Sequence, residues 1–268
     1  MATDVEPGLY FAGVWGALPE PVRGLITGTQ DGDDDRGRAE AWRALIAGDD
    51  ILPLALAVDV YLQGRAASRM GRPAPLDLDL VRPAALRLLG EPARDATSRF
   101  GDRTAKATHV VALRVLRTVA TADDLALLLP LAPLAATDDD PGSEWADAWL
   151  WASTGVLVRV HDERADVLVH ELARIAREDR FENSVRAAAV RALGTATCPA
   201  AERAVHEVMR TALGDLHVEA AAALGARDAW SPDEVDVVRA LLANPPNTGT
   251  FLVRREDLQA AVDRATRR

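Results

Sequence analysis

The chain has 268 residues and carries 41 acidic against 31 basic side chains, a formal net charge of −10 at neutral pH. This excess of acids disfavours non-specific binding to nucleic acid or to anionic membranes, but it allows a basic protein partner. The single cysteine, Cys198, excludes a disulfide framework and a cysteine-based zinc site, and no apolar run reaches the roughly 18 residues that a membrane span needs.

Helix start and stop signals divide the chain into predicted helices. Residues 231–234 read Ser-Pro-Asp-Glu, a capping box with proline at the first helical position, and 121–124 is a related pattern. Gly90, Gly194 and Gly225 each follow an apolar-periodic run, so we expect them to end helices in the left-handed conformation. No window has the alternation of a strand. The predicted helices are 36–47, 51–69, 79–89, 91–99, 103–119, 122–135, 143–160, 162–178, 183–193, 199–213, 215–224, 231–243 and 254–266.

Two segments of the chain repeat at an interval of 36 residues. Residues 165–176 (ADVLVHELARIA) and 201–212 (AERAVHEVMRTA) are identical at six of twelve positions. The helix that follows also repeats, because 185–194 (VRAAAVRALG) shares seven of ten residues with 81–90 (VRPAALRLLG). A fixed interval of this size indicates stacked pairs of helices, in which each pair covers the apolar face of the next.

The sequences at 185–194 and 216–225 (LHVEAAAALG) resemble the second helix of HEAT-like repeats, as found in phycobilin lyases and many bacterial scaffold proteins. The resemblance is strong over 160–245 and partial over 36–120. It implies an all-α fold, an α-solenoid of about five to six HEAT-like hairpins. We expect an irregular N-terminal segment, 1–35, packed on the first repeat, the solenoid over 36–245, and a C-terminal capping helix within 246–268. Because this fold hosts many unrelated activities, the resemblance implies architecture and not function.

An acidic stretch beside tryptophans is the first candidate site. Residues 118–158 contain seven acids and no base, and tryptophan rimmed by charge is typical of protein-interaction hot spots. Arginines on the second helices could clamp carboxylates or phosphates, or instead bridge neighbouring repeats. The acidic turn could instead be a solvated helix cap, and two of the three tryptophans could simply pack between repeats. The predicted partner-binding residues are Asp138, Asp139, Asp140, Glu144, Trp145, Asp147, Trp149, Trp151, Arg114, Arg117, Arg186 and Arg191.

A repeated His-Glu pair is the second candidate site. His170-Glu171 and His206-Glu207 combine residue types that suit a non-haem metal. Deoxyhypusine hydroxylases, which look like HEAT proteins, build a di-iron centre from such pairs, but this chain has two pairs on adjacent units and not two facing sets. Each histidine also has an acid four residues before it and an arginine four residues after it, a ladder that stabilises an exposed helix face. We therefore predict no metal site, with these four residues as the alternative ligands.

The tryptophans allow one more interpretation. Trp145, Asp147, Trp149 and Trp151 are similar to the residues with which HEAT-like alkylpurine DNA glycosylases hold a damaged base. Those enzymes also need a basic groove for phosphates, and the base-free stretch would repel a DNA backbone.

Taken together, these observations predict a non-catalytic protein-binding scaffold or adaptor that uses a concave surface and the acidic, tryptophan-containing edge. We expect a basic protein partner, no cofactor, no nucleic acid and no membrane. The alternative is an enzyme on the same framework, either a lyase or a metal-dependent hydroxylase, or a glycosylase-like protein. Lys106 is the sole lysine, which indicates GC-rich coding and a bacterial source. The lone cysteine and the lack of a basic leader predict a cytoplasmic protein.

Overall fold

The structure is a computed structural model that describes residues 8–30, 34–69, 78–132, 143–160, 163–225 and 230–267. In these ranges it contains fourteen α-helices and one short two-stranded hairpin, so the fold is all-α as predicted. None of the helices in the described ranges combines the length and the apolar composition needed to cross a bilayer. The chain divides into two compact units, Met1–Ala120 and Thr121–Arg268.

The first unit is built from two rows of helices. In one row α2 packs on α4 and α4 packs on α6, and in the other row α3 packs on α5. From α2 to α6, helices next to each other in sequence also pack together. Helix α6 packs on both α4 and α5, and its residues from Ala107 to Leu113 are all buried. The elements are α1 (Ala12–Trp15), α2 (Glu20–Gly28), α3 (Asp35–Ala47), α4 (Ile51–Arg69), α5 (Leu78–Gly90), β1 (Ala96–Thr97), β2 (Arg103–Thr104) and α6 (Ala107–Val119).

The second unit is a regular stack of helical hairpins. The helices α8, α10, α12 and α14 pack on one another in that order and form one row, while α9 lies beside α11 in the other row. Each of the pairs α9/α10, α11/α12 and α13/α14 packs as a hairpin, which is the arrangement of an α-solenoid. The helices are α7 (Leu125–Leu128), α8 (Ser143–Arg159), α9 (Asp166–Arg177), α10 (Asn183–Thr195), α11 (Pro199–Thr211), α12 (Gly214–Gly225), α13 (Pro232–Ala243) and α14 (Gly249–Thr266).

Apolar stripes at helical spacing hold this stack together. On α9, Leu168, Leu172 and Ile175 are buried, and Val205 and Val208 are buried on α11. Each such side chain contributes about 1.5–3 kcal/mol when fully removed from water. The capping box predicted at the start of α13 is present: the Ser231 amide donates to the Glu234 carboxylate, and the Glu234 amide donates to the Ser231 hydroxyl.

The predicted helix over 91–99 is wrong. This segment instead leads into the antiparallel pair β1 and β2, in which Ala96 faces Thr104. The Asp95 carboxylate accepts a hydrogen bond from the Lys106 amide (2.9 Å) and pairs with Arg103 (2.5 Å). These contacts with residues eight and eleven positions ahead compete with helical hydrogen bonding and hold the chain in a hairpin. In the N-terminal segment, where no helix was predicted, the structure has α1 and α2.

The three glycines expected to end helices in the left-handed conformation do not adopt it. Among the described glycines, only Gly101 and Gly214 have positive φ. Gly194 is instead required by close packing, because a Cβ atom there would lie 2.8 Å from the Cβ of Ala223 on α12. Gly225 is similar, since its Cβ would lie 3.0 Å from that of Ala261 on α14. Nothing in the structure explains the glycine at position 90, which has open space around it.

Candidate partner-binding surface

Helix α8 presents one exposed stripe and buries its opposite face. The buried face carries Trp149, Ala152 and Val156, which pack into the second unit. The stripe consists of Glu144, Asp147, Trp151, Thr154 and Val158, spaced alternately by three and four residues, so that they share one face of the helix. We call these five residues the α8 stripe.

The α8 stripe changes in character along its length. Its N-terminal end is acidic, with Glu144 exposed and Asp147 half-buried. Its C-terminal end is apolar, because Trp151 is 39% exposed and Val158 is 55% exposed. Between these ends, Thr154 donates its hydroxyl hydrogen bond to the Leu150 carbonyl of its own helix, 2.8 Å away. The surface therefore offers an exposed aromatic side chain and, two helical turns further on, an exposed aliphatic one, on the same helix face as two carboxylates.

The structure separates the three tryptophans that the sequence brought together. Trp149 is fully buried, and its indole N–H donates to the Leu128 carbonyl at 2.8 Å, so it holds α7 against α8. Trp145 is half-buried. Of these three tryptophans, Trp151 alone is exposed. Of the three tryptophans, Trp151 is therefore the one most accessible on the surface of α8. The predicted acids Asp138, Asp139 and Asp140 lie outside the described residues.

Arg114 lies inside the first unit and contributes to its packing. Its guanidinium stacks on the Tyr10 ring, 5.0 Å from the ring centroid. The buried Asp59 carboxylate on α4 accepts hydrogen bonds from the amides of Tyr10 (2.6 Å) and Phe11 (3.2 Å). Burial raises the pKa of Asp59, whereas these amide donors and the charge of Arg114 oppose the rise. Asp59 and Arg114 thus fix residues 9–11 to α4 and α6. Arg117, three residues further along α6, is exposed.

The arginines on α10 connect neighbouring helices. Arg186 donates to the Ala176 carbonyl (3.1 Å) and pairs with Asp179 (2.8 Å), which closes the α9/α10 hairpin. Arg191 pairs with Glu219 on α12 at 2.7 Å. Glu219 is only 3% exposed, and its other oxygen lies 3.6 Å from Arg254 on α14. One buried carboxylate therefore joins three successive helices of the same row, which supports the bridging interpretation of these arginines.

The four residues of the alternative metal site have separate partners. The Nδ1 of His170 bonds to the Asp166 carbonyl at 2.7 Å, and Glu171 pairs with Arg174. His206 bonds to the Glu234 carboxylate on α13, and Glu207 pairs with Arg177 at 3.1 Å. Within the part of the chain that the structure describes, no group of three or more His, Cys, Asp or Glu side chains could hold a metal ion. The two His-Glu pairs are therefore not gathered into one centre.

The acid–histidine–base ladders form only in part. His206 lies 3.7 Å from the Glu202 carboxylate four residues before it. On α9, however, the histidine bonds to a backbone carbonyl and Arg174 pairs with Glu171 and Glu178.

Val158 was missed as part of the candidate surface, although its distance of seven residues from Trp151 places both side chains on one face of a helix.

Comparison with known proteins finds similarity to solved structures but not to a family or a curated protein. No family model matches the chain, and no curated protein matches it. Among solved structures, a designed armadillo repeat protein in complex with the peptide (KR)4 has a TM-score of 0.43 at 12% identity, over 92% of this chain and 100% of that one. Two engineered proteins, each 16% identical, have TM-scores of 0.39 and 0.35 and cover 93% of this chain, with 96% and 98% of their own lengths covered.

Proposed function

We propose that this protein is a HEAT-like scaffold that binds a protein partner through the α8 stripe and carries out no catalysis itself. The observation that supports this most directly is Trp151, a large aromatic side chain left 39% exposed beside the exposed Val158. Tryptophan is one of the residue types most enriched at the energetic centre of protein interfaces. In this proposal the two units belong to one solenoid over 36–245, with terminal segments on either side, in a bacterial cytoplasm.

The chemistry of the stripe defines the partner. From Glu144 to Val158 the stripe is about 21 Å long, since a helix rises about 1.5 Å per residue. A partner helix of similar length would place apolar side chains on Trp151 and Val158 and basic side chains next to Glu144 and Asp147. The carboxylates would raise the association rate of a basic partner and set its orientation. A basic amphipathic segment is therefore the proposed ligand.

The proposal is tested by capture from the extract of the native host with the immobilised protein and three variants. Trp151→Ala and the double variant Glu144→Gln/Asp147→Asn alter the two ends of the stripe. Val167→Ala, on α9, is the matched control, because Val167 is 56% exposed and lies outside the stripe. We expect one protein to be recovered by the wild type and the control, and its recovery to fall at least about tenfold with Trp151→Ala, the loss typical of a hot-spot residue.

The charge variant tests whether the two carboxylates act mainly on the rate of association with the partner. We expect Glu144→Gln/Asp147→Asn to slow association and to reduce its dependence on salt, with a smaller effect on dissociation. Circular dichroism spectra must match those of the wild type for each variant. If every protein that the wild type captures is recovered equally by correctly folded Trp151→Ala, the α8 stripe is not the binding surface.

A further inference from the structure

A second surface lies on the other row of helices in the second unit. Between α9 and α11 runs a groove of about 610 Å³. Small apolar side chains line it, among them Ala173 on α9 and Ala200 and Ala204 on α11. Because these residues are alanines, the two helices leave a trough between them that larger side chains would fill. The groove exists because the 36-residue repeat sets these two helices side by side.

The edges of the groove carry an excess of positive charge. Arg177, Arg203 and Arg210 line it, and the only carboxylate among its lining residues is that of Glu207. Glu207 is already paired with Arg177, at 3.1 Å. Within the described part of the chain, Arg203 and Arg210 are exposed and make no side-chain hydrogen bond or ion pair. Two cations without counter-ions therefore border a trough with a small-residue lining, in a protein whose net charge is −10.

We propose that this groove binds an extended acidic peptide segment. Arg203 and Arg210 are seven residues apart on one helix, a separation of about 10.5 Å along the axis. A peptide in the extended polyproline II conformation advances about 3.1 Å per residue with three residues per turn, so acidic side chains three positions apart point to one side, about 9 Å apart, and would match the two arginines. The thirteen residues of α11 span about 20 Å, room for about six extended residues. The alanines let the peptide backbone approach closely, while the guanidinium groups can bind carboxylates in two-point contacts.

A nucleic acid fits this surface less well than an acidic peptide. A DNA or RNA backbone carries a phosphate at every nucleotide and extends beyond the groove over a protein surface that is acidic on average. A short peptide places its charge only where the arginines lie. This groove lies on the row of helices that does not contain α8, and its proposed ligand is acidic whereas that of the α8 stripe is basic. The two proposals can therefore fail independently.

The test uses fluorescence anisotropy of a fluorescein-labelled hexaglutamate peptide, with the intact protein and charge-reversal variants. Arg203→Glu/Arg210→Glu reverses both unpaired cations. The matched control is Arg43→Glu/Arg255→Glu, which makes the same change in net charge at two exposed arginines outside the groove. A third variant, Ala200→Leu, narrows the trough and leaves its charge unchanged. A twelve-nucleotide oligothymidylate and inorganic phosphate serve as competing anions.

We expect hexaglutamate to bind the wild type and the control alike, and Arg203→Glu/Arg210→Glu to weaken binding at least about tenfold, as attraction at two positions becomes repulsion. Ala200→Leu should also weaken binding, which an effect of net charge alone would not produce. The proposal would be overturned by no binding to the wild type, by equal loss in the groove and control variants, or by displacement of the peptide by oligothymidylate at a lower concentration than by unlabelled hexaglutamate. Equal displacement by phosphate at matched charge would also overturn it, because the site would then recognise any anion.

Discussion

The close approach of α10 to α12 at Gly194 predicts that adding one methyl group there destabilises the second unit. In Gly194→Ala the new Cβ would lie 2.8 Å from the Cβ of Ala223. Carbon atoms in contact are normally about 3.5–4.0 Å apart, so the two helices must separate by roughly 1 Å or tilt. Such overpacking of a core costs about 1–3 kcal/mol.

Helix propensity opposes this cost only in part. Alanine is favoured over glycine by up to about 1 kcal/mol in a helix interior, and by less at the penultimate residue of α10. The expected net loss is therefore about 1–2 kcal/mol, which corresponds to a fall in Tm of about 2–8 °C. The matched control is Gly90→Ala, at the corresponding position of the related segment 81–90, where the new Cβ meets nothing within 4 Å. Gly90→Ala should leave Tm unchanged or raise it.

Differential scanning calorimetry and urea unfolding followed by circular dichroism measure both effects. The double variant Gly194→Ala/Ala223→Gly moves the methyl group from one helix to the other. Because this exchange relieves the overlap, we expect a coupling energy of at least about 1 kcal/mol between the two sites. If Gly194→Ala is as stable as the wild type, or if the second substitution adds its own cost without any recovery, the two helices do not pack as described.

Two titratable groups, the buried Asp59 and the half-buried His217 on α12, lead to further predictions. Asp59→Ala leaves the buried amides of Tyr10 and Phe11 without an acceptor, which costs about 1–3 kcal/mol of stability for each amide. Limited proteolysis of this variant should therefore cut near residues 9–11, whereas Asp59→Asn, which keeps an acceptor, should resist cleavage at pH 7. Equal cleavage of both variants would contradict this. Burial lowers the pKa of His217 below 6.5, so its contribution to stability is complete above pH 6.5 and is lost as the pH falls toward the folded-state pKa. As the pH falls across that window, the free energy of unfolding measured with urea should decrease by up to about 1.4 kcal/mol more per pH unit for the wild type than for His217→Gln. Parallel pH profiles of the two proteins would refute this prediction.

Local signals in the sequence predict most of the helices. The capping box at 231–234 and the apolar stripe at 165–176 depend on residues within about one or two helical turns, and both are confirmed. The hairpin after α5 was missed because its stability comes from Asp95, whose partners lie eight and eleven residues away. Propensity and periodicity do not detect such contacts, so they predict a helix over 91–99 where the structure has none.

The candidate surface could be predicted only to the level of the helix. The acids and tryptophans of 143–160 indicate an interaction surface, but they do not say which side of the helix is covered. The covered side is set by α7, because its Leu128 carbonyl accepts a hydrogen bond from the Trp149 indole N–H. Trp149 therefore faces α7, and Trp151 faces outward. Likewise, the contact between Arg191 and Glu219 depends on how α10 and α12 align. These features follow from the packing of neighbouring helices and not from spacing within one helix.

The net charge of −10 argues against binding of nucleic acid, but it does not exclude a local site for an anion. At physiological ionic strength, exposed charges are largely screened beyond about 8 Å. A peptide in the groove between α9 and α11 would therefore be attracted mainly by Arg203 and Arg210, which lie within that distance, and would hardly sense the acids elsewhere. Raising the salt concentration should weaken this binding further, since the same screening reduces the attraction of the two arginines. For a polyanion longer than the groove, added salt would also reduce the repulsion from the rest of the surface, so its affinity would fall less steeply. The slope of affinity against salt concentration therefore distinguishes a ligand confined to the groove from one that extends beyond it.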